Sequence, residues 1–154
     1  MNNMCGKRYS TITGSKFLFT DERMPKMYIL ILLLFFHWFF DFILQPRSWA
    51  DEKWCNMLAL IGHTSVYGLG LFCFAACPWL GLPRDLGAIF MFTGLNWFLH
   101  GFTDFFTSKV NHMYYESKKY YQFFGMIGFD QFIHVATLLI TLQYFFHITV
   151  GLLQ

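Results

Sequence analysis

The sequence predicts an all-α protein, a four-helix transmembrane bundle built as a duplicated two-helix unit. Three observations carry that prediction. The 154-residue chain is 56% hydrophobic and 22% aromatic but only 13% charged, with a mean hydropathy of +0.41. Soluble domains carry about 25% charged residues, so this chain lacks the polar surface that coats a water-soluble globule. Its apolar residues gather in four long runs parted by short connectors, and runs of roughly 20 residues suit membrane spans. The third observation is a repeat: His37-Trp-Phe-Phe-Asp41-Phe returns as His100-Gly-Phe-Thr-Asp104-Phe, both H-x-F-x-D-F.

Taken in order, residues 1–26 are polar and mixed, with Lys7, Arg8, Lys16, Arg23 and Lys26. No apolar core precedes a cleavage signal, so a flexible tail is expected there and not a secretory signal peptide. The first span covers 27–45 and stops at Pro46, where a helix ordinarily ends. A polar connector bracketed by Trp49 and Trp54 suits the membrane–water interface. The second span covers 54–79, with His63 and Tyr67 four apart, and Pro78, Gly81 and Pro83 mark the turn after it. The third covers 85–108. Its Gly87, Gly94 and Gly101 recur every seven residues, a small-residue seam expected to admit a close neighbour. Lys109–Gln122 reads as the second connector, and the fourth span covers 123–152.

Of four cysteines, Cys5 lies in the tail and Cys55 near a span end, while Cys73 and Cys77 share a helix face and read as small buried residues. They do not form a disulfide framework. A net charge of +2 with no basic helix interleaved with aromatics gives no expectation of a nucleic-acid partner. The expected partner is the lipid bilayer.

The polar residues within the spans carry the chemistry. His37, Asp41 and Gln45 stand at i, i+4, i+8, and so do Asn96, His100 and Asp104; each set falls on one helix face. An aspartate at a span centre costs roughly 2.5–3.5 kcal/mol, so something must offset it. At about 1.5 Å per residue, Asp41 and His37 lie roughly 7 and 13 Å from the end of the first span. Asp104 and His100 lie about as far from Lys109, and His63, Asp130 and His134 lie roughly 13, 14 and 20 Å into their spans. All seven therefore gather in one half of the bilayer. Each repeated motif closes an odd-numbered span, and the next span carries a histidine in its first half. The units thus share one orientation, with a pseudo-axis along the membrane normal.

Histidine and aspartate are ligands of Zn²⁺, Mn²⁺ or Fe²⁺, and a His and an Asp four apart on a helix reach one ion. The candidate ligands are His37, Asp41, His63, His100, Asp104, Asp130 and His134. Seven exceed the needs of one tetrahedral ion, so the set is read either as two metals or as one metal with supporting carboxylates. Two other readings stand beside it: hydrogen-bonded pairs that set the bundle's register, and a proton or substrate relay. His112, in a connector, and His147, far along the fourth span, are given ordinary roles.

The motifs H-x-x-x-D-F-x-x-Q (His37, Asp41, Phe42, Gln45), W-A-x-x-K (Trp49, Ala50, Lys53), H-x-x-x-Y (His63, Tyr67), H-x-x-x-D (His100, Asp104) with Lys109, and D-Q-x-x-H (Asp130, Gln131, His134) together resemble a family of small multi-span membrane proteins of bacteria and their phages classed as a domain of unknown function. The resemblance covers about residues 27–140 and leaves out the polar tail. It implies a polar centre inside a helical membrane bundle in the bacterial inner membrane, and it brings no established activity. The H-x-x-x-D spans are also broadly similar to predicted membrane-bound metal-dependent hydrolases, a looser analogy.

Two function classes follow. In a metal-dependent hydrolase, Asp41, Asp104 and Asp130 are the catalytic carboxylates, and one of them off the metal acts as general base. Gln45, Lys53, Tyr67, Asn96, Lys109 and Gln131 are the expected substrate contacts, with Lys53, Lys109 or Arg47 near a phosphate of a lipid-linked substrate. In a cation or small-solute carrier, the same cluster is the ion or proton pathway, and four spans call for a homo-oligomer. A non-catalytic structural protein is the third reading. Orientation turns on the start: the full chain has six Lys/Arg on the N-terminal side and five on the connector side, whereas a start at Met24 leaves two and five. The latter puts the polar centre toward the cytoplasm.

Overall fold

Each of the four apolar runs folds as a helix, and the first polar connector adds a fifth. The computed structural model describes residues 23–148. Helix α1 spans Arg23–Trp38 and runs directly into a π-helical turn, Phe39–Ile43, closed by Leu44 N–H donating to the Phe39 carbonyl at 3.0 Å. Pro46 precedes the short α2, Arg47–Glu52. Helix α3 spans Met57–Ala76; its N-cap is Asn56, whose side-chain oxygen accepts from Leu58 N–H and Ala59 N–H. A 3₁₀ turn, Pro78–Leu80, ends at Gly81 with φ +65°, a left-handed conformation that glycine adopts without strain. Helix α4 spans Leu86–Glu116 behind the N-cap Asp85, and α5 spans Tyr120–Phe146. Among the described residues there is no strand, so the protein is all-α.

Three boundaries differ from expectation. The Lys109–Gln122 segment is not a loop through most of its length: α4 continues to Glu116, because Lys109–Glu116 holds neither Pro nor Gly to stop it. Lys118, at φ 55°, makes the turn instead. Residues 23–26 begin α1, while the rest of the expected tail lies outside the described residues, as do 149–152 of the expected fourth span. Among the described residues, only α3 and α5 are long and apolar enough to cross a membrane. The stretch Met27–Ile43 is apolar but shorter, and α4 is long but interrupted by polar residues.

Helix α4 packs along both α3 and α5, while α1 and its π turn lie on α3, as does α2. The glycine seam does not form as expected. A Cβ at Gly94 would meet nothing, and one at Gly87 would meet only Asp85, whereas Gly101 packs on Thr64 of α3. The tightest approach is elsewhere, where Gly70 of α3 receives the Phe40 ring of the π turn. Cys73, expected inside, faces outward.

The bundle's interior has two halves. Leu33, Leu71, Phe74, Phe92, Leu138 and Leu142, all at most 1% exposed, form an apolar core. One to two turns toward the α2 end, the same helices turn polar, and His37, Asp41, His63, His100, Asp104, Asp130 and His134 are all buried. The outer surface is the reverse: Ile31 and Phe35 on α1, Leu58 and Leu69 on α3, Phe98 and Phe102 on α4, and Phe132 and Ile140 on α5 are each more than half exposed.

Candidate metal centre

Four donor atoms from three segments meet at the centre of the cluster. His63 Nε2 of α3 lies 3.0 Å from His100 Nε2 of α4. It also lies 3.1 Å from Asp41 Oδ1 of the π turn and 3.1 Å from Asp104 Oδ2 of α4. His100 Nε2 stands 3.4 Å from Asp41 Oδ1 and 3.7 Å from Asp104 Oδ2. These five separations run from 3.0 to 3.7 Å, and the donors form two trios that share His100: Asp41, His63 and His100, and His100, Asp104 and His134, each with its donor atoms within 4.8 Å of one another. Donors around a tetrahedral ion with metal–ligand bonds of 2.0–2.1 Å stand about 3.3 Å apart. The donor set fits a divalent ion in both size and chemistry.

Hydrogen bonding alone does not account for this convergence. A neutral imidazole nitrogen carries at most one proton, yet His63 Nε2 faces another imidazole nitrogen and two carboxylate oxygens. A proton there serves one of the three contacts and leaves the remaining lone pairs facing each other. The opposite nitrogens, Nδ1 of His63 and of His100, are buried without a hydrogen-bond partner, so no neighbour opposes the ligand form, in which Nδ1 carries the proton. Ring orientation comes from packing: Tyr67 stacks on His100 at 3.9 Å and 15°.

The charges point the same way. Asp41, Asp104 and Asp130 are buried together, and Lys53 is the cation that reaches them, with Nζ 2.8 Å from Asp104 Oδ2. Burial pushes the Lys53 ammonium down, but Asp104 more than offsets it and holds the pKa above the ordinary lysine value. With neutral histidines the group carries two surplus negative charges, which are costly in a low-dielectric interior. One divalent cation cancels them.

Around the quartet, Gln131 of α5 ties three groups together. Its Nε2 donates to Asp41 Oδ2 at 3.0 Å and to Asp130 Oδ2 at 3.2 Å, and its Oε1 sits 3.1 Å from His37 Nε2. Oε1 can only accept, so His37 carries its proton on Nε2. His37 is therefore turned away from the quartet although it belongs to the repeated motif. Gln131 bridges it to Asp41, which lies within the π turn Phe39–Ile43. The two copies are not equivalent in space: His100 and Asp104 both join the quartet, whereas His37 gives its place to His63. Asp130 is held by Thr107 Oγ1 at 2.6 Å and lies 3.4 Å from His134 Nδ1. His134 Nε2 has no hydrogen-bond partner and stands 3.7 Å from Asp104 Oδ1.

The expected substrate contacts disperse. Lys53 and Gln131 reach the cluster. Gln45, with its amide oriented to satisfy both ends, donates to the Asp41 carbonyl at 2.9 Å and accepts from Ala50 N–H at 3.1 Å, tying the π turn to α2. Asn96 binds Thr141 of α5 and the Phe92 carbonyl. Tyr67 packs against His100, and Lys109 faces outward over the Phe105 ring at 3.4 Å. Sequence reasoning missed Thr107, Ser108 and Asn111. Thr107 holds Asp130, while Ser108, Asn111 and His112 continue the Asp104 face of α4 along the wall of a cavity of about 660 Å³, which Asp41, Gln45, Lys53, Asp130 and Gln131 also line. The signal was the i, i+4 spacing from Asp104 to Ser108 to His112; its first step lay inside the expected span, and its second was hidden by ending that span at Ser108.

A family model described as "Protein of unknown function (DUF3307)" matches residues 29–153. No curated protein and no solved structure matches the chain.

Proposed function

The chain belongs to the DUF3307 family, and from that premise we propose that it is a multi-pass membrane protein whose His/Asp centre binds a divalent metal and hydrolyses a membrane-associated substrate. The membrane reading is supported by the inside-out distribution of residues, with charged and imidazole groups inside and Phe, Leu and Ile outside on all four long helices. At 31 residues, α4 is roughly 46 Å long. That exceeds the hydrocarbon core of about 30 Å, so its Lys109–Glu116 end projects past the membrane on the α2 side.

The observation that carries the metal reading is the convergence of Asp41 and Asp104 on the imidazole pair His63 and His100, with each carboxylate 3.1–3.7 Å from both Nε2 atoms and the two Nε2 atoms 3.0 Å apart. Two nitrogens and two oxygens suit Zn²⁺, Mn²⁺ or Fe²⁺. When bound, such an ion supplies Lewis acidity toward a phosphoryl or acyl oxygen and acidifies water. The other roles belong to the chain. Gln131 holds Asp41 and Asp130 in register, and Asp130 lies beside Nδ1 of His134. His134, neither of whose nitrogens has a hydrogen-bond partner and whose Nδ1 stands 3.4 Å from Asp130 Oδ2, is the proton acceptor in this reading. The cavity beside α2 admits substrate, with Asp41 at its inner end.

A conduit through the bundle is disfavoured, because the polar groups stop at Asn96 and Thr141 and the sealed apolar half lies beyond them. Metal analysis of the full chain purified in detergent tests the proposal. About one equivalent of transition metal is expected, lost in Asp41→Ala and His100→Ala while the gel-filtration profile stays unchanged. Trace metal only, unaltered by Asp41→Ala, overturns it.

A further inference from the structure

The cavity over the cluster is lined by four carboxylates: Asp41 and Asp130 at its buried end, Asp51 and Glu116 at its exposed end. Against them stands Lys53, which is already committed to Asp104. His112 lies flat on Trp54 at 3.7 Å and 7° and makes one aromatic wall, with Tyr115 and Phe123 also lining the space. Lys109, one of the basic residues expected near a phosphate, is not in the lining and lies over the Phe105 ring instead. Independent of these charges, Ser108 is 92% buried, lines the cavity, and its Oγ has no hydrogen-bond partner. One turn on, the buried Oδ1 of Asn111 also lacks a donor.

Carboxylates, aromatic faces and unpaired acceptor oxygens are the recognition set for an organic cation. Aromatic faces attract an ammonium through the ring quadrupole, and an ammonium brings three N–H donors and no acceptor. From this lining we infer that the cavity binds an organic ammonium group, so that the substrate of the proposed hydrolase is an amine-bearing molecule whose charged end sits between Glu116, Trp54 and Asn111 while its scissile bond faces Asp41. This rests on the hydrolase reading for the fate of the substrate but not for its binding. The exposed end of the cavity lies where α4 projects beyond its apolar stretch, at the level of a lipid headgroup. An ammonium there can come from an aminophospholipid or from a free amine.

Native mass spectrometry of the full chain, with short-chain phosphatidylethanolamine and phosphatidylglycerol added at equal concentration, tests the inference. The amine lipid is expected to bind about tenfold more tightly, the scale of one desolvated cation–aromatic contact with a charge partner. That preference should fall in Glu116→Gln and in Asn111→Leu, neither of which supplies a quartet donor. Displacement by free ethanolamine identifies a soluble amine as a sufficient ligand; a preference that withstands it restricts the site to the lipid. Equal binding of the two lipids, or a preference unchanged in both variants, overturns the inference. Metal content is read on the same samples. A metal-loaded protein without amine preference sinks this inference alone, and amine preference without metal sinks the hydrolase proposal alone.

Discussion

Lys53 Nζ lies 2.8 Å from Asp104 Oδ2, the same oxygen that faces His63 Nε2. A connector lysine therefore enters the charge balance of a centre built from helices. Lys53→Met leaves three buried carboxylates with no fixed cation, and breaking such a partly buried pair costs about 2 kcal/mol or more in metal-free protein. The same change removes a positive charge near the quartet, so affinity for a divalent ion should rise by about tenfold. Thermal midpoints in chelator and metal titrations of the two proteins measure both effects. The folded-state pKa of Lys53 is raised, so its contribution is fully present below the unfolded lysine value of about 10.4 and is lost only as pH rises through the still higher folded value. The Lys53 ammonium itself therefore adds no pH dependence to the midpoint difference between Lys53→Met and the parent from about pH 6 to 9.

Gln131 is the one side chain that joins His37, Asp41 and Asp130. Gln131→Leu strips a donor from two buried carboxylates and an acceptor from a buried imidazole, a loss of about 3 kcal/mol. Gln131→Glu should be worse in chelator, because it sets a third carboxylate within 3.0–3.2 Å of the positions Asp41 Oδ2 and Asp130 Oδ2. Excess divalent metal should recover part of the stability of Gln131→Glu and little of that of Gln131→Leu, since only the first defect is one of charge. Unfolding monitored with and without metal separates the two.

The π turn is held from outside by Gly70, whose missing side chain makes room for Phe40. Gly70→Val pushes Phe40 away, and with it the turn that aims Asp41 into the quartet. Overpacking of this kind costs about 1–3 kcal/mol, and here it should also lower bound metal. Gly94→Ala is the control. A Cβ there meets nothing within 4 Å, and alanine in a helix interior is favoured by about 0.5–1 kcal/mol over glycine, so stability should hold or rise with metal content unchanged.

Much of the site was legible in the sequence because a helix face is a matter of spacing. Asp104 four residues after His100, and His134 four after Asp130, follow from the α-helical period, and the common depth of the groups follows from rise per residue. What spacing could not reveal was any departure from that period. The π turn at Phe39–Ile43 carries no composition signal, and spacing could not show that His37 Nε2 would be taken up by Gln131. The extent of α4 was missed for a different reason: Lys109–Glu116 is polar yet helical, and polarity was mistaken for a loop. With it went Asn111, His112 and the α4 wall of the cavity beyond Ser108. The glycines at seven-residue spacing were misread because a seam needs a partner helix at each step, and only Gly101 has one.

The inequality of the two repeated motifs gives the sharpest test of which atoms hold the metal. If H-x-x-x-D acted as a unit in both copies, His37 and His100 would be interchangeable in effect. Instead His37 Nε2 is bound to Gln131 Oε1 and stands outside the quartet, while His100 Nε2 lies 3.0 Å from its partner donor His63. His37→Gln keeps a side-chain donor for Gln131 and acts on the quartet only through Asp41, an outer-layer change that costs about tenfold in metal affinity. His100→Gln and His63→Gln each remove a donor from the quartet itself and should cost well over about a hundredfold, beyond the range of supporting residues. Competition with a calibrated chelator ranks the three variants directly. If His37→Gln loses metal as completely as His100→Gln, the ligand set must be redrawn around the repeat.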